Sequence, residues 1–222
     1  MSAAGRRDPP LDRDRLRESL DTGLAAFGSC IAEAIDCDAR ERLILYLDLL
    51  ARWNRAYNLT AVRDPAEMVP RHLLDSLTLG PYLFGPTVLD LGTGAGLPGI
   101  PLAIAQPSRR FVLLDSHGKK VRFVRQVVLE LGLENAAAVQ ARMESYRPGE
   151  KFATIVSRAV TSLADLSRVA GPLLARPGRL LVMKGRYPAE EIAALANREA
   201  LTHRLRVPFL DGERHLIEIR FD

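Results

Sequence analysis

A carboxylate followed by three alternating glycines, Asp90-Leu91-Gly92-Thr93-Gly94-Ala95-Gly96, is the stretch of this 222-residue chain best suited to hold a nucleotide-like ligand. Glycines strip side chains from a turn so that the main chain can approach a ligand. The helix expected beyond them presents unpaired N–H groups at its start. A second carboxylate, Asp115, follows about twenty residues later, where a strand-end acid can accept hydrogen bonds from both ribose hydroxyls.

Two ligands fit this spacing. Gly94-Ala-Gly96-Leu-Pro-Gly99 matches the dinucleotide pattern G-x-G-x-x-G. Asp90-Leu-Gly92-Thr-Gly94-Ala-Gly96 also has the form expected of an S-adenosylmethionine (SAM) site, an acid followed by alternating glycines. A carboxylate at Asp90 repels a pyrophosphate and suits a sulfonium bearing an amino group, which favours SAM. Pro98 removes an N–H that a phosphate would use, although proline is well tolerated in a first helical turn. A tight turn in an unrelated α/β protein is the remaining alternative.

The elements around the motif alternate in a way that would position it. Val88–Leu91 suits a buried strand, and Leu97–Ala105 a helix. Arg110–Asp115 is a second strand ending in the acid, and Ser116–Leu131 a helix with Val121, Val124, Val128 and Leu131 as its core stripe. Its other face carries Lys119, Lys120, Arg122 and Arg125; such runs are commonly solvated, and an RNA phosphate track is compatible with this one. Ala136–Ala141 is a third strand. Arg142-Met143-Glu144 at its carboxyl end would set an apolar side chain against an adenine face and a carboxylate near its amino group. Phe152–Ser157 is a fourth strand, followed at once by Arg158, which cannot act as a base but can hold a carboxylate or phosphate through two parallel hydrogen bonds. After a helix reaching Leu174, a turn at Arg176-Pro-Gly178 leads to strand five, Arg179–Lys184, then Gly185-Arg186 and a helix from Pro188 to about Ala200. Thr202–Leu210 and His215–Phe221 close the chain as a hairpin around Asp211-Gly212. An antiparallel ending argues against a dinucleotide fold of two equal halves. It fits a class I SAM-dependent methyltransferase, Rossmann-like, with a mostly parallel seven-stranded sheet ending in a C-terminal antiparallel hairpin.

Helices precede the sheet. Residues 1–11 read as a disordered leader, 12–84 as an N-terminal helical region and 85–222 as the ligand-binding domain. Arg13–Ala34 is broadly helical, weakened by Gly23 and Gly28. Asp38–Tyr57 carries Leu43, Leu47 and Leu50 at helical spacing, and Asp64-Pro65 caps a third helix through Met68, His72, Leu73 and Leu77. His72 reads first as a structural histidine. Trp53 and Tyr57 read as packing aromatics whose place near a helix end also allows stacking. Cys30 and Cys37 are too few for a metal site and read as buried or half-buried thiols. Hydrophobic content of 47% supports a sizeable core, and the net charge of +4 permits a polyanionic partner. With no apolar run of membrane length and no signal core, the expectation is a cytosolic protein without a membrane partner.

The run Leu49-Leu-Ala-Arg-Trp53-Asn54-Arg-Ala-Tyr57-Asn58-Leu59-Thr60 and then Arg71-His72-Leu-Leu-Asp75-Ser76 precede the glycine segment. After it come Leu114-Asp115-Ser116 with Lys119-Lys120-Val-Arg122-Phe123, Ser157-Arg158-Ala159 and Lys184-Gly185. Together these resemble the RsmG (GidB) family in order, over roughly residues 40 to 190. The resemblance implies SAM-dependent methylation of N7 of one guanosine in 16S ribosomal RNA, in the bacterial cytoplasm. It implies Gly92 and Leu97 in the cofactor turn, Met143 and Glu144 at the adenine end and Arg158 in the crevice. Guanine N7 carries no proton, so no catalytic base and no metal is expected, only positioning. Asp90, Gly92, Gly94, Leu97, Asp115, Met143, Glu144 and Arg158 are the expected cofactor residues. Arg71, His72, Lys184 and Arg186 are candidates for the side facing 16S rRNA or a small-subunit assembly intermediate, and the expected state is a monomer. The alternatives are an NAD-dependent oxidoreductase and a non-catalytic RNA-binding assembly factor on the same fold.

Overall fold

Apolar runs bounded by turn residues become the strands of one sheet, and the computed structural model describes residues 11–27, 31, 35–158, 161–195 and 199–222. The strands are β1 (Thr87–Leu91), β2 (Arg110–Asp115), β3 (Ala136–Gln140), β4 (Phe152–Arg158), β5 (Leu174–Lys184), β6 (Ala200–Arg204) and β7 (His215–Phe221). Their order is β3-β2-β1-β4-β5-β7-β6. The first five pair in parallel, and β7 runs antiparallel to both β5 and β6. The order reverses between β1 and β4, and the carboxyl ends of strands beside such a reversal leave a crevice between the departing loops.

Alternation along β1 decides what each face receives. Val88 joins one apolar cluster and Leu89 and Leu91 the other. The first cluster packs the sheet against α1 (Arg13–Ala26), α2 (Cys37–Tyr57), α3 (Pro65–Met68), α4 (Asp75–Leu77), α5 (Gly99–Ala105) and α6 (Gly118–Glu130). The second packs it against α7 (Leu163–Ala170). A π-helical segment, Val69–Leu74, joins α3 to α4. The N-terminal helices begin as their sequence indicates: Asp12, Asp36 and Asp64 each accept a main-chain N–H of the first turn, and Pro65 occupies the first turn of α3. Among the described residues no helix is long and apolar enough to cross a membrane.

The structure departs from the sequence reading at several points, and the helix expected to reach Leu174 ends at Ala170. Residues 176–178 lie inside β5, which begins at Leu174. The helix expected from Pro188 to Ala200 is short: α8 covers Ala189–Ala193, and Ala200 is already paired with Ile219 in β6, so strand pairing overrides local helix preference. Thr202–Leu210 is a strand only as far as Arg204. Cys37 is exposed, because the buried stripe of α2 begins at Ala39 and leaves the first helical residue on the outside. Cys30, the leader to residue 10, residues 28–30 and 32–34 of the first expected helix, and residues 196–198 of the last lie outside the described residues.

Candidate active site

Parallel register brings the strand ends level. Asp90 is opposite Leu113 and Val156, and Asp115 is opposite Gln140, so the loops after β1, β2, β3 and β4 open on one edge. A cavity of about 460 Å³ lies there. Its wall contains Gly92, Gly94, Leu97, Asp115, Met143, Glu144 and Arg158, seven of the eight residues expected for a cofactor.

The eighth, Asp90, is elsewhere. Strand alternation places it on the face of Val88, under the turn and against α5, where it is 0% exposed and forms no part of the cavity wall. Its Oδ2 accepts hydrogen bonds from Thr93 Oγ1 at 2.6 Å and from the Gly99 main-chain N–H at 2.9 Å. Asp90 therefore fastens the turn from behind. The N–H groups expected at the start of α5 are also not all presented, since that of Gly99 is committed to Asp90. Burial pushes the Asp90 carboxyl up to about 6, although the Thr93 and Gly99 hydrogen bonds and the charge of Arg158 pull the other way.

The glycine turn itself is held on three sides. The N–H groups of Gly92 and Thr93 both donate to the Leu114 carbonyl, at 2.9 Å each. Gly92, Gly94 and Gly96 have φ of 73°, 60° and 91°, the left-handed region that side chains disfavour. Tyr46 of α2, fully buried, donates its hydroxyl to the Ala95 carbonyl at 2.8 Å. The N-terminal helices are thereby tied to the turn.

Asp115 is buried at the cavity rim. Its Oδ2 accepts from Gly94 N–H at 2.9 Å, and its Oδ1 accepts from His117 N–H at 2.8 Å and lies 3.0 Å from His117 Nδ1. Burial alone would raise its pKa, but the hydrogen bonds from His117 and Gly94 and the charge of Lys120 hold it below the usual carboxylate value. It is thus ionised at neutral pH, with lone pairs left for a ligand hydroxyl.

Arg158 at the end of β4 faces two cavities. It borders the first, and with Thr60 it also borders a second of about 330 Å³ that includes Arg71, His72, Asp75, Lys184 and Arg214. Buried Asp75 holds Arg158 at 3.6 Å and Arg214 at 3.1 Å. Burial raises the Asp75 pKa against the pull of both guanidinium groups. His72 is 2% exposed, with Nε2 3.1 Å from Thr60 Oγ1. Burial first, then Arg158, lowers its pKa to about 4, so it is neutral at physiological pH and braces the Thr60 loop. Arg71 pairs with Glu67 at 3.3 Å, and Lys184 pairs with Glu191 at 2.8 Å. Arg186 is exposed outside both cavities.

Several cavity residues were not singled out from the sequence as part of this site: Leu59, Thr60, Thr93, His117 and Lys120 in the wall of the first cavity, and Asp75 with Arg214 beside it. Thr93 was open to inference, since it sits between two glycines of the motif. The loop at Leu59 and Thr60 was not, because only packing of α2 and α3 on the sheet brings it over the strand ends.

A seven-stranded sheet with a reversed last strand and a glycine turn at the carboxyl edge of β1 defines a SAM-dependent methyltransferase fold. Solved structures agree. The chain is similar to a methyltransferase from Geobacter sulfurreducens (TM-score 0.58, 20% identity, covering 82% of this chain and 98% of that one). It is also similar to a SAM-dependent methyltransferase from Aquifex aeolicus (TM-score 0.55, 17% identity, covering 73% and 96%). The model of the family described as rRNA small subunit methyltransferase G matches residues 39–217. Ribosomal RNA small subunit methyltransferase G of Methylococcus capsulatus is 52% identical over 90% of this chain and 97% of its own. That of Alkalilimnicola ehrlichii is 52% identical over 92% of each. The chain belongs to the rRNA small subunit methyltransferase G family and is a methyltransferase.

Proposed function

We propose that the chain methylates N7 of a guanosine in 16S ribosomal RNA with S-adenosylmethionine as donor, acting as a monomer in the bacterial cytoplasm. The observation that carries this reading is the cavity at the carboxyl edge, where an ionised Asp115, a glycine turn and the Met143-Glu144 pair share one wall. These residues fit the donor: a carboxylate for ribose hydroxyls, an apolar side chain and a carboxylate for adenine, and bare main chain for the rest. When bound, the donor supplies an electrophilic methyl group, and guanine N7 offers a lone pair without a proton, so the chain has no base to provide. Its residues position and shield instead.

In this reading Gly92, Gly94 and Leu97 shape the turn, and Asp115 takes the ribose. Arg158, anchored by Asp75, orients groups where the two cavities meet. The second cavity receives the target base, with Arg71, His72 and Lys184 around it and Arg186 outside. Asp90 contributes negative charge from behind the turn without touching the ligand, and that charge disfavours a pyrophosphate in its place.

Incubation with SAM and 16S rRNA, followed by mass analysis of the nucleosides, should give N7-methylguanosine; methylation of another atom, or none in free rRNA and small-subunit particles alike, would overturn the reading. In calorimetric titration SAM should bind and NAD should not. Asp115→Ala should weaken SAM roughly ten- to a hundredfold, the equivalent of losing charge-assisted hydrogen bonds worth about 1.5–3 kcal/mol. Asp115→Asn, which keeps an acceptor for the turn, should lose less.

A further inference from the structure

The cations of this protein differ in how far carboxylates compensate them. On the N-terminal helices, Arg13, Arg17, Arg40, Arg42 and Arg52 each lie within ion-pair distance of an aspartate or glutamate. Of the four side chains considered above for the RNA side, Arg71 and Lys184 are likewise paired, His72 is neutral, and Arg186 is exposed without a carboxylate partner among the described residues. Helix α6 carries several such cations close together. Lys119, Arg122 and Arg125 are exposed, and among the described residues none of them has a carboxylate partner. Among the described residues the Arg125 side chain has one polar contact, a long hydrogen bond from its Nε to the Ala138 carbonyl at 3.4 Å.

Positions 119, 122 and 125 recur at three-residue spacing, so the three side chains follow one another along one side of the helix. Exposed Leu129 continues that side, and Glu130 and Glu134 mark its far end. The near end opens on the donor cavity, since α6 starts directly after His117, and Lys120 and Arg142 are both in the cavity wall. Uncompensated positive charge therefore runs from the cavity mouth outward along α6. Next to it stand the rings of the α2 end: Trp53 lies 5.5 Å from Phe123 of α6, and Tyr57, 43% exposed, lies 5.3 Å from Trp53.

An unpaired row of cations leading away from a cavity is complementary to an extended polyanion whose reacting residue lies in that cavity. We propose that Lys119, Arg122 and Arg125 form a track for the phosphate backbone of the RNA substrate, holding the strand that flanks the methylated nucleotide. The proposal rests on the rRNA reading above and adds the surface that carries the strand. Phosphate contacts of this kind give affinity and register without reading sequence, and each phosphate neutralised contributes a definite share of the salt dependence.

The test is a steady-state comparison of the wild-type enzyme with Lys119→Ala/Arg122→Ala/Arg125→Ala, using the rRNA that the wild type methylates. The triple variant should raise KM for rRNA at least tenfold at moderate salt, with kcat largely retained and SAM affinity unchanged by calorimetry. Its plot of log affinity against log salt should be shallower by about 2 to 3, from roughly 0.7–0.9 for each phosphate that is no longer neutralised. Arg17→Ala/Arg42→Ala, on the paired surface, should change neither quantity. Wild-type KM and salt slope in the triple variant would overturn the track while leaving the rRNA reading intact. Absence of methyl transfer to any rRNA by the wild type would remove both.

Discussion

Replacing Gly99 by alanine should collapse the site and lower the melting temperature by roughly 5–15 °C, at about 2–4 °C per kcal/mol for a chain of this size. Gly99 is buried at the first position of α5, where the helix meets β1 and β2. A Cβ there would overlap Leu113 Cδ2, lie 2.6 Å from Asp90 Oδ2 and come within 3.2 Å of Asp90 Cβ. Neither neighbour has room to yield: Leu113 is fully buried on β2, and Asp90 is held by its hydrogen bonds to Thr93 and Gly99. Overpacking of this kind commonly costs about 1–3 kcal/mol, and displacing Asp90 adds the loss of a buried hydrogen bond. Because the same carboxylate fastens the glycine turn, SAM affinity should fall with stability. Gly149→Ala is the control, since a Cβ there meets nothing within 4 Å, and it should leave both quantities unchanged. A Gly99→Ala protein with wild-type melting and SAM binding would show that the turn does not depend on this packing.

Such dependence explains what could be read in the sequence and what could not. The strands and the glycine turn were legible because they are encoded locally, by apolar runs, glycines and strand-end acids, and β2 spans the expected Arg110–Asp115. The location of Asp90 was half legible. Period-two alternation puts it on the face of Val88, but that this face is closed by α5, with Gly99 N–H waiting, depends on packing. Pairings between distant segments left no local mark. Tyr46 reaches Ala95 across 49 positions, and Asp75 meets Arg214 across 139. Lys184 looked free for RNA because its partner Glu191 lies seven residues on, across a turn into α8, outside the three- and four-residue spacings by which helical ion pairs are recognised. The early end of the last helix had the same kind of cause: β7 supplies a partner strand that the sequence near Ala200 does not announce.

Asp90→Asn should gain stability relative to wild type as pH rises toward neutrality and become a poorer binder of its donor. Burial raises the Asp90 carboxyl from 3.8 to about 6, so the folded state holds its proton over a range in which the unfolded chain has released it. Where the folded state binds more protons, stability falls as pH rises. The loss from this group accumulates between about pH 4 and 6, reaches about 3 kcal/mol and is constant above. An asparagine keeps an acceptor for Thr93 and Gly99 and has no charge to bury, while its amide N–H groups replace Oδ1, which has no partner among the described residues, at a cost that does not change with pH. Compared with wild type, its melting temperature should therefore gain as pH rises from 4 to 7, by roughly 5 °C or more. Melting curves measured in parallel across that range check this, and a constant offset between the two proteins would refute it. The gain in stability should coincide with weaker SAM binding at pH 7, because Asp90 is electrostatically coupled to Arg158 and Asp115 in the cavity wall and favours a cation beyond the turn. A charge that destabilises the fold and improves the site is a stability–activity trade-off, and this variant separates its two halves.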